Sequence, residues 1–234
     1  EDFASWGWRI PFLASILLIA MGLWVRLSIT ETPDFQKAID NKERVKMPIV
    51  TLLQEHKMTI FLCTFMTLIT FVLFHFCAAY LLSYNIKVRG MTLMDGLKVQ
   101  LFGAILFSVG ILLSAKLATK TSRYTVLMID TIAIALFAFF FTEPLLTGST
   151  EMIYAFMSIG MFLFGITYGV LGSALSTAFP TNLRYTGSSI TFNLGGMVGA
   201  SFAPYIATWL QSHYGIGATG YYIAGAALIT LLCI

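Results

Sequence analysis

Few residues in this sequence have the types and spacing that chemistry requires. The three histidines, His56, His75 and His213, lie in different segments, so none of their spacings matches a metal-ligand pattern. Neither a Gly-x-Ser-x-Gly motif nor a phosphate-binding loop is present, and these are common signatures of hydrolases and nucleotide-binding enzymes. The sequence therefore predicts no enzyme activity, no metal site and no cofactor.

His75 stands out because it lies near the middle of a long apolar run. On a helix it shares a stripe with Thr64, Ala78 and Ala79, whose small or polar side chains suit the wall of a cavity. An imidazole can change its charge between about pH 5 and 8. We expect His75 either to contact a small molecule or a proton in such a cavity, or to be a neutral packing residue hydrogen-bonded to a neighbouring helix.

A second polar face occurs nearer the C-terminal end of the chain, where Ser189 and Asn193 fall on the same side of a predicted helix. Asn193 could line a pathway and offer a hydrogen-bonding group there. The alternative is close helix packing, because Gly195 and Gly199 form a small-xxx-small pair on the adjacent face.

Long apolar helices are the elements that must position these residues. Apolar residues make up 58% of the chain and charged residues 11%, against roughly 25% charged in an average soluble domain. The mean hydropathy is +0.83. A soluble or disordered chain is excluded, because neither could keep so much apolar surface from water. The small net charge of +3, without a basic tract, argues against a nucleic-acid partner.

Seven apolar runs are long enough to span a lipid bilayer, which takes about 20 residues of helix. They cover residues 10–29, 59–84, 99–118, 124–142, 152–178, 186–210 and 218–234. The sequence therefore predicts an all-α polytopic membrane protein with seven transmembrane helices.

Loop charge predicts the orientation of these helices. When the loops are assigned to alternate sides of the membrane, one side carries ten of the 14 Lys and Arg residues and the other carries four. The positive-inside rule places the richer side in the cytoplasm. We therefore expect the N-terminus of the chain outside and its C-terminus in the cytoplasm.

One long polar stretch divides the chain. It covers residues 31–58, mixes both charge signs, and separates a first helix (1–30) from a block of six (59–234). One plus six is an odd division for a self-contained bundle. The last run is also still apolar at Ile234, and the chain begins without Met. We expect a piece of a longer protein, cut at both ends.

Three stretches resemble a known family in order and spacing. They are Trp6-Gly7-Trp8-Arg9-Ile10-Pro11-Phe12, the loop at 179–187 (Phe-Pro-Thr-Asn-Leu-Arg-Tyr-Thr-Gly), and the following helix with Phe-Asn-Leu-Gly-Gly at 192–196 and Ala-Pro-Tyr-Ile-Ala-Thr-Trp-Leu at 203–210. The chain resembles the metabolite:proton symporter branch of the major facilitator superfamily. The resemblance implies helices six to twelve of a twelve-helix transporter, with the central cytoplasmic loop and the whole C-terminal six-helix half, and with the N-terminal half missing.

The function implied by the resemblance is proton-coupled secondary transport. The expected cargo is a small polar metabolite, such as an organic acid or a zwitterionic osmolyte, carried with protons across a bacterial inner membrane. The resemblance also places Tyr80 near the substrate path, with an aromatic belt at the membrane interface as the alternative. A seven-helix receptor or photoreceptor fits the helix count too, but the last helix has no lysine to anchor a retinal.

The cytoplasmic signature of the family is altered here. Lys120 and Arg123 keep two of its cations, whereas Thr119 and Thr177 stand where relatives tend to carry acids. Without these two acids, we expect the usual ion pairs between the cytoplasmic ends of the helices of this half to be missing.

Asp130 is the acid nearest to this altered signature. It lies about 9 Å inside the cytoplasmic end of its helix, where an unpaired carboxylate is costly. We expect an ion pair with Lys116, Arg123 or Arg184. The alternative is a side chain that reaches the membrane interface on its own.

Overall fold

Helices account for all the regular secondary structure that the computed structural model describes, which is that of residues 5–28 and 48–234. The chain divides into two compact units, Glu1–Arg44 and Val45–Ile234, and each is described by itself. The all-helical class predicted from the sequence is confirmed over the described residues.

The first unit contains a 3₁₀ turn, Gly7–Arg9, which continues into helix α1, Ile10–Ser28. Pro11 fits at the start of α1 because the first helical N–H groups have no intrahelical partner. The guanidinium of Arg9 lies 4.6 Å from the centre of the Trp8 ring and donates a hydrogen bond to the carbonyl of Ser5. The predicted polar stretch from residue 31 to residue 47 lies outside the described residues.

The second unit begins with a short helix inside the predicted central loop. This helix, α2, covers Pro48–Glu55 and buries Leu52 completely. The sequence did not predict it, because the segment has the polar composition of a loop and the helix spans only about two turns. Helices α3 to α10 follow, and their bounds are Lys57–Met66, Leu68–His75, Leu81–Lys87, Leu93–Lys120, Arg123–Thr147, Thr150–Thr177, Arg184–Tyr214 and Gly217–Cys233.

Helices α3, α4 and α5 form one long helix, Lys57–Lys87, with two irregularities. A turn at Thr67 separates α3 from α4, and a π-helical turn, Phe76–Tyr80, separates α4 from α5. The sequence predicted one uninterrupted helix here, because neither position contains the proline or glycine that usually marks a break.

Five described helices are long and apolar enough to cross a membrane. They are Gly7–Ser28, Lys57–Lys87, Leu93–Lys120, Arg123–Thr147 and Thr150–Thr177. Helix α10 is apolar but has only 17 residues. Helix α9 has 31 residues, but its many Gly, Ser and Thr residues lower its hydropathy. Five of the seven predicted spans therefore meet the length and hydropathy of a membrane helix within the described residues.

Glycines bring α6 and α8 into close contact. A Cβ atom added to Gly165 of α8 would overlap the carbonyl oxygen of Phe107, and one added to Gly110 of α6 would overlap that of Phe162. Backbone therefore packs against backbone at this crossing, which side chains larger than hydrogen would prevent.

A similar close approach joins α9 to the long helix. A Cβ on Gly195 would overlap the hydroxyl of Thr67, and one on Gly199 would lie 2.8 Å from Cβ of Phe71. The packing role predicted for these two glycines is confirmed.

Candidate functional site

A cavity of about 420 Å³ lies among four helices of the second unit. Helix α4 contributes four of its lining residues, and α6, α8 and α9 contribute the others. The lining residues are Thr70, Phe71, Phe74, His75, Phe107, Ile111, Phe164, Tyr168 and Phe192. The volume suits a small molecule, and no side chain in this lining carries a permanent charge.

His75 is the titratable imidazole in this lining, and it is half-buried. Its Nδ1 lies 3.0 Å from the carbonyl oxygen of Phe71, one helical turn earlier. Because a carbonyl only accepts, Nδ1 is the donor in this contact, and Nε2 is left for another partner. The imidazole and the Phe74 ring also pack edge to face, with 5.1 Å between ring centres. His75 is thus held by its own helix, and the neighbouring-helix hydrogen bond of the packing alternative is not formed among the described residues.

Aromatic rings build most of the cavity wall. Phe107 and Phe164 stack with their ring centres 4.8 Å apart, and Tyr168 packs 5.5 Å from Phe164. On α4 and α9, Phe71 and Phe192 meet edge to face at 4.9 Å. Ring faces attract cationic groups and also shield them from water. The hydroxyls of Thr70 and Tyr168 and the imidazole of His75 are the polar groups within this wall.

The sequence analysis missed these aromatic residues. A signal for them exists, because Phe71, Phe74 and His75 lie at helical spacing i, i+3 and i+4, as do Phe164 and Tyr168 at i and i+4. Phenylalanine is so abundant in this chain that the pattern does not stand out from ordinary lipid-facing and packing positions.

Tyr80 does not line the cavity. It closes the π-helical turn, is 4% exposed, and stacks between Phe76 and Tyr84 at ring-centre distances of 5.0 and 6.0 Å. Its hydroxyl has no hydrogen-bond partner within the described part of the chain. The π-helical turn changes the pitch of the helix at this point, but it leaves Tyr80 in the core instead of turning it toward His75.

Ser189 and Asn193 lie on the exposed face of α9, outside the cavity lining. The side-chain amide of Asn193 donates to the carbonyl of Ser189 at 2.8 Å, so it is partly satisfied within its own helix. The adjacent Phe192 is the residue of this turn that reaches the cavity. A pathway role for Ser189 and Asn193 therefore stays a prediction that involves a different surface of α9.

Arg123 and Tyr124, in the region of the altered signature, hydrogen-bond the C-terminal end of α8. Arg123 donates from Nη1 to the carbonyl of Ser173 at 3.1 Å. The Tyr124 hydroxyl donates to the carbonyl of Ala174 at 3.0 Å and lies 3.3 Å from the hydroxyl of Thr177. The last carbonyls of a helix lack intrahelical partners and carry partial negative charge, so a cation and a hydroxyl are suitable partners for them.

The prediction of an ion pair for Asp130 is wrong. Asp130 is buried, its Oδ2 has no hydrogen-bond partner, and no Lys or Arg nitrogen lies within 4.0 Å in the part of the chain that the structure describes. Arg123, the expected partner nearest to Asp130 in the chain, donates instead to the carbonyl of Ser173 in α8. The described ion pair of the chain joins Lys98 to Asp95 instead, at 2.9 Å.

The two other cations of the predicted signature are not gathered into one cluster. Lys120 ends α6 as an exposed residue. Arg184 begins α9 and contacts the Thr181 hydroxyl at 3.5 Å, while its buried Nε has no partner in the described residues. Among the described residues, Arg123 is thus the signature cation that hydrogen-bonds a carbonyl at the end of α8.

Comparison with known proteins gives the family of this fold. A family model described as Major Facilitator Superfamily matches residues 3–204. The chain belongs to the Major Facilitator Superfamily. It is therefore an integral membrane protein, and the family predicted from its motifs is confirmed. The receptor alternative has no support, and the prediction that the chain is not an enzyme agrees with relatives named as transport proteins.

Three relatives show how this superfamily member compares with curated proteins. The chain is 39% identical to the inner membrane metabolite transport protein YhjE of Escherichia coli (strain K12), over 100% of the chain and 54% of that protein. It is 35% identical to a Haemophilus influenzae protein named "Putative metabolite transport protein", over 99% of the chain and 54% of that protein. It is 30% identical to a Staphylococcus aureus (strain MSSA476) protein named "Putative proline/betaine transporter", over 100% of the chain and 51% of that protein.

The chain spans about half the length of the curated relatives it matches. No solved structure matches it.

Proposed function

We propose that this chain is part of a proton-coupled symporter for a small polar metabolite, an organic acid or a zwitterionic osmolyte. The observation that carries the proposal is the match of residues 3–204 to the Major Facilitator Superfamily. The metabolite and proline/betaine transport named for the relatives supports the substrate class. The symporter branch within the superfamily follows from the motif resemblance.

The proposal assigns the chain to helices six to twelve of a twelve-helix transporter. Residues 1–30 end the first half, residues 31–58 form the central cytoplasmic loop, and residues 59–234 form the second half. The coverage of about half of each relative supports this assignment. The N-terminus then lies outside the cell and the C-terminus in the cytoplasm of a bacterium, with the protein in the inner membrane.

The cavity beside His75 is the proposed contribution of this half to the substrate site. Transporters of this kind rock two halves around a site near the middle of the bilayer. An ionisable residue at that depth usually faces a wet interior, and His75 faces a cavity that could admit a small molecule. Protonation of its imidazole would add a positive charge beside the cargo, which links proton binding to substrate binding.

The test is uptake by the full-length protein in sealed vesicles. A panel of labelled organic acids, betaines and amino acids is offered with an inward proton gradient, and then again after the gradient is collapsed with an ionophore. We expect at least one compound to accumulate only with the gradient. Equal uptake in both conditions would replace symport with facilitated diffusion, and no uptake of any compound would contradict the substrate class.

A further inference from the structure

The cavity-lining helix α4 lies between the two irregularities of the long helix Lys57–Lys87. It contains Thr70, Phe71, Phe74 and His75, all of which line the cavity. The turn at Thr67 precedes α4 and the π-helical turn Phe76–Tyr80 follows it. The orientation of these four side chains therefore depends on what holds the helix at those two points.

At the first irregularity a side chain from another helix enters the hydrogen-bond ladder. In a regular α-helix the N–H of Ile69 would donate to the carbonyl of Phe65. Here the N–H of Ile69 donates to the hydroxyl of Thr230 at 3.1 Å, and that hydroxyl donates to the carbonyl of Phe65 at 3.0 Å. Thr230 lies on α10 and is fully buried. Insertion of a side chain into the ladder is a recognised cause of a helix bend.

At the second irregularity a different helix supplies the partner. The side-chain amide of Gln100, on α6, donates from Nε2 to the carbonyl of Ala78 at 2.5 Å, inside the π-helical turn. Irregular backbone at membrane depth persists where neighbouring side chains satisfy its polar groups. Single π-helical turns also occur frequently at functional sites.

We propose that Thr230 and Gln100 are positioning residues that hold the two ends of α4 and so set how its four lining residues face the bound metabolite. The hydroxyl of Thr230 bridges the carbonyl of Phe65 and the N–H of Ile69. The amide of Gln100 holds the π-helical turn through the carbonyl of Ala78. Without these partners, backbone groups are left unpaired in a medium that offers little water. Helix α4 then loses its single orientation. The proposal rests on the proposed transport function for its effect on substrate, but not for its effect on the helix.

The first test measures the helix without any substrate. Backbone amide exchange of peptides covering residues 68–75 is followed by mass spectrometry in the full-length protein, reconstituted in vesicles. Thr230→Val keeps the shape of the side chain and removes its hydroxyl. We expect this variant to exchange about tenfold faster, because the buried hydrogen bonds of that hydroxyl are lost. Thr230→Ser keeps the hydroxyl and should restore slow exchange.

A matched control comes from Thr131 on α7. Thr131 is fully buried like Thr230, but its hydroxyl donates only to the carbonyl of Leu127 in its own helix, at 2.7 Å. Thr131→Val should leave exchange of residues 68–75 unchanged. Gln100→Leu is the second variant, and it should speed exchange of residues 76–82 in the same way even if Thr230→Val fails to fold.

The second test uses the metabolite that the uptake panel identifies. A displaced lining should raise KM about tenfold for Thr230→Val and Gln100→Leu, with the maximal rate within about twofold. Thr230→Ser and Thr131→Val should match the parent protein. Unchanged exchange in both variants overturns the proposal whatever the uptake shows, and faster exchange with an unchanged KM overturns it too. Failure of the parent to transport anything contradicts only the proposed function.

Discussion

At the scale of single residues, the candidate site is one imidazole in an aromatic wall. His75 is bonded through Nδ1 to the carbonyl of Phe71, which fixes the ring and directs its remaining nitrogen away from its own helix turn. The rings of Phe74 and Phe164 lie 5.1 Å apart beside it. The imidazole is thus the ionisable group in an otherwise uncharged, mostly aromatic lining.

The first prediction concerns the charge of His75. His75→Ala in the full-length transporter should reduce uptake and flatten its pH dependence between about 5.5 and 7.5, because the titrating imidazole is gone. His75→Gln keeps a hydrogen-bonding side chain that cannot titrate, so it should retain more uptake yet show the same flat profile. Initial uptake rates across this pH range provide the measurement. If both variants keep the parent's profile, His75 is a packing residue.

The second prediction concerns the hydroxyl of Tyr124 at the end of α8. Tyr124→Phe removes the bond to the carbonyl of Ala174 and should lower the free energy of unfolding by about 0.5–1.5 kcal/mol. Tyr205→Phe is the matched control, because Tyr205 is 71% exposed and loses little. Thermal unfolding in detergent, compared between the two variants, gives the answer. Equal melting temperatures would mean that the Tyr124 hydroxyl does not hold the end of α8.

At the scale of helices, close packing depends on glycine. At the crossing of α6 and α8, a Cβ added to Gly110 or Gly165 would overlap a backbone carbonyl oxygen of the other helix. These two helices also supply four of the cavity-lining residues, Phe107, Ile111, Phe164 and Tyr168. The spacing between the helices therefore controls both their stability and the width of the cavity.

The third prediction tests this spacing with two glycines on one helix. Gly165→Ala should destabilise the protein by about 1–3 kcal/mol, since its new Cβ would overlap the Phe107 carbonyl and force the helices apart. Gly172→Ala is the control, because no atom lies within 4 Å of its added Cβ. That variant should be neutral, or more stable by up to about 1 kcal/mol, as alanine favours helix. Similar melting temperatures for both variants would contradict the backbone contact.

At the scale of the whole molecule, two features bear on the proposed transporter. The chain covers about half of its relatives, and rocking transport needs two halves around a shared site. The loop charges favour one orientation in the membrane. Each feature leads to a prediction that does not depend on knowing the substrate site.

The fourth prediction is that residues 1–234 alone do not accumulate the metabolite that the full-length protein takes up. A site shared between two halves offers no gated pathway when one half is absent. Vesicles containing the chain alone, the full-length protein, or the chain expressed together with its missing helices are compared for gradient-driven uptake. Uptake by the chain alone at the full-length rate would contradict the assignment to half a transporter.

The fifth prediction concerns orientation. Val88 lies in the turn after α5 and Thr121 in the turn before α7, on opposite sides in the proposed topology. In a protein with Cys63, Cys77 and Cys233 replaced by serine, Val88→Cys should react with a membrane-impermeant thiol reagent added to intact cells, because Val88 is exposed. Thr121→Cys should react only after the cells are opened. The reverse pattern would invert the topology.

Properties that depend on local composition and short motifs were predictable from the amino-acid sequence. Apolar runs predicted the long described helices because a bilayer-spanning helix needs a continuous apolar stretch. The motifs around Trp6 and Phe179 indicated the family that residues 3–204 match. The packing role of Gly195 and Gly199 was also visible in their spacing.

The residues that form the cavity, and the contacts that hold its lining, depend on how the helices pack together. Thr230 bridges a helix 165 residues earlier in the chain, and no local pattern around it predicts that contact. Asp130 has no cation partner among the described residues, because Arg123 instead hydrogen-bonds Ser173 where α7 packs against α8. The wall around His75 comes from four helices, so it exists only when their crossings bring those faces together.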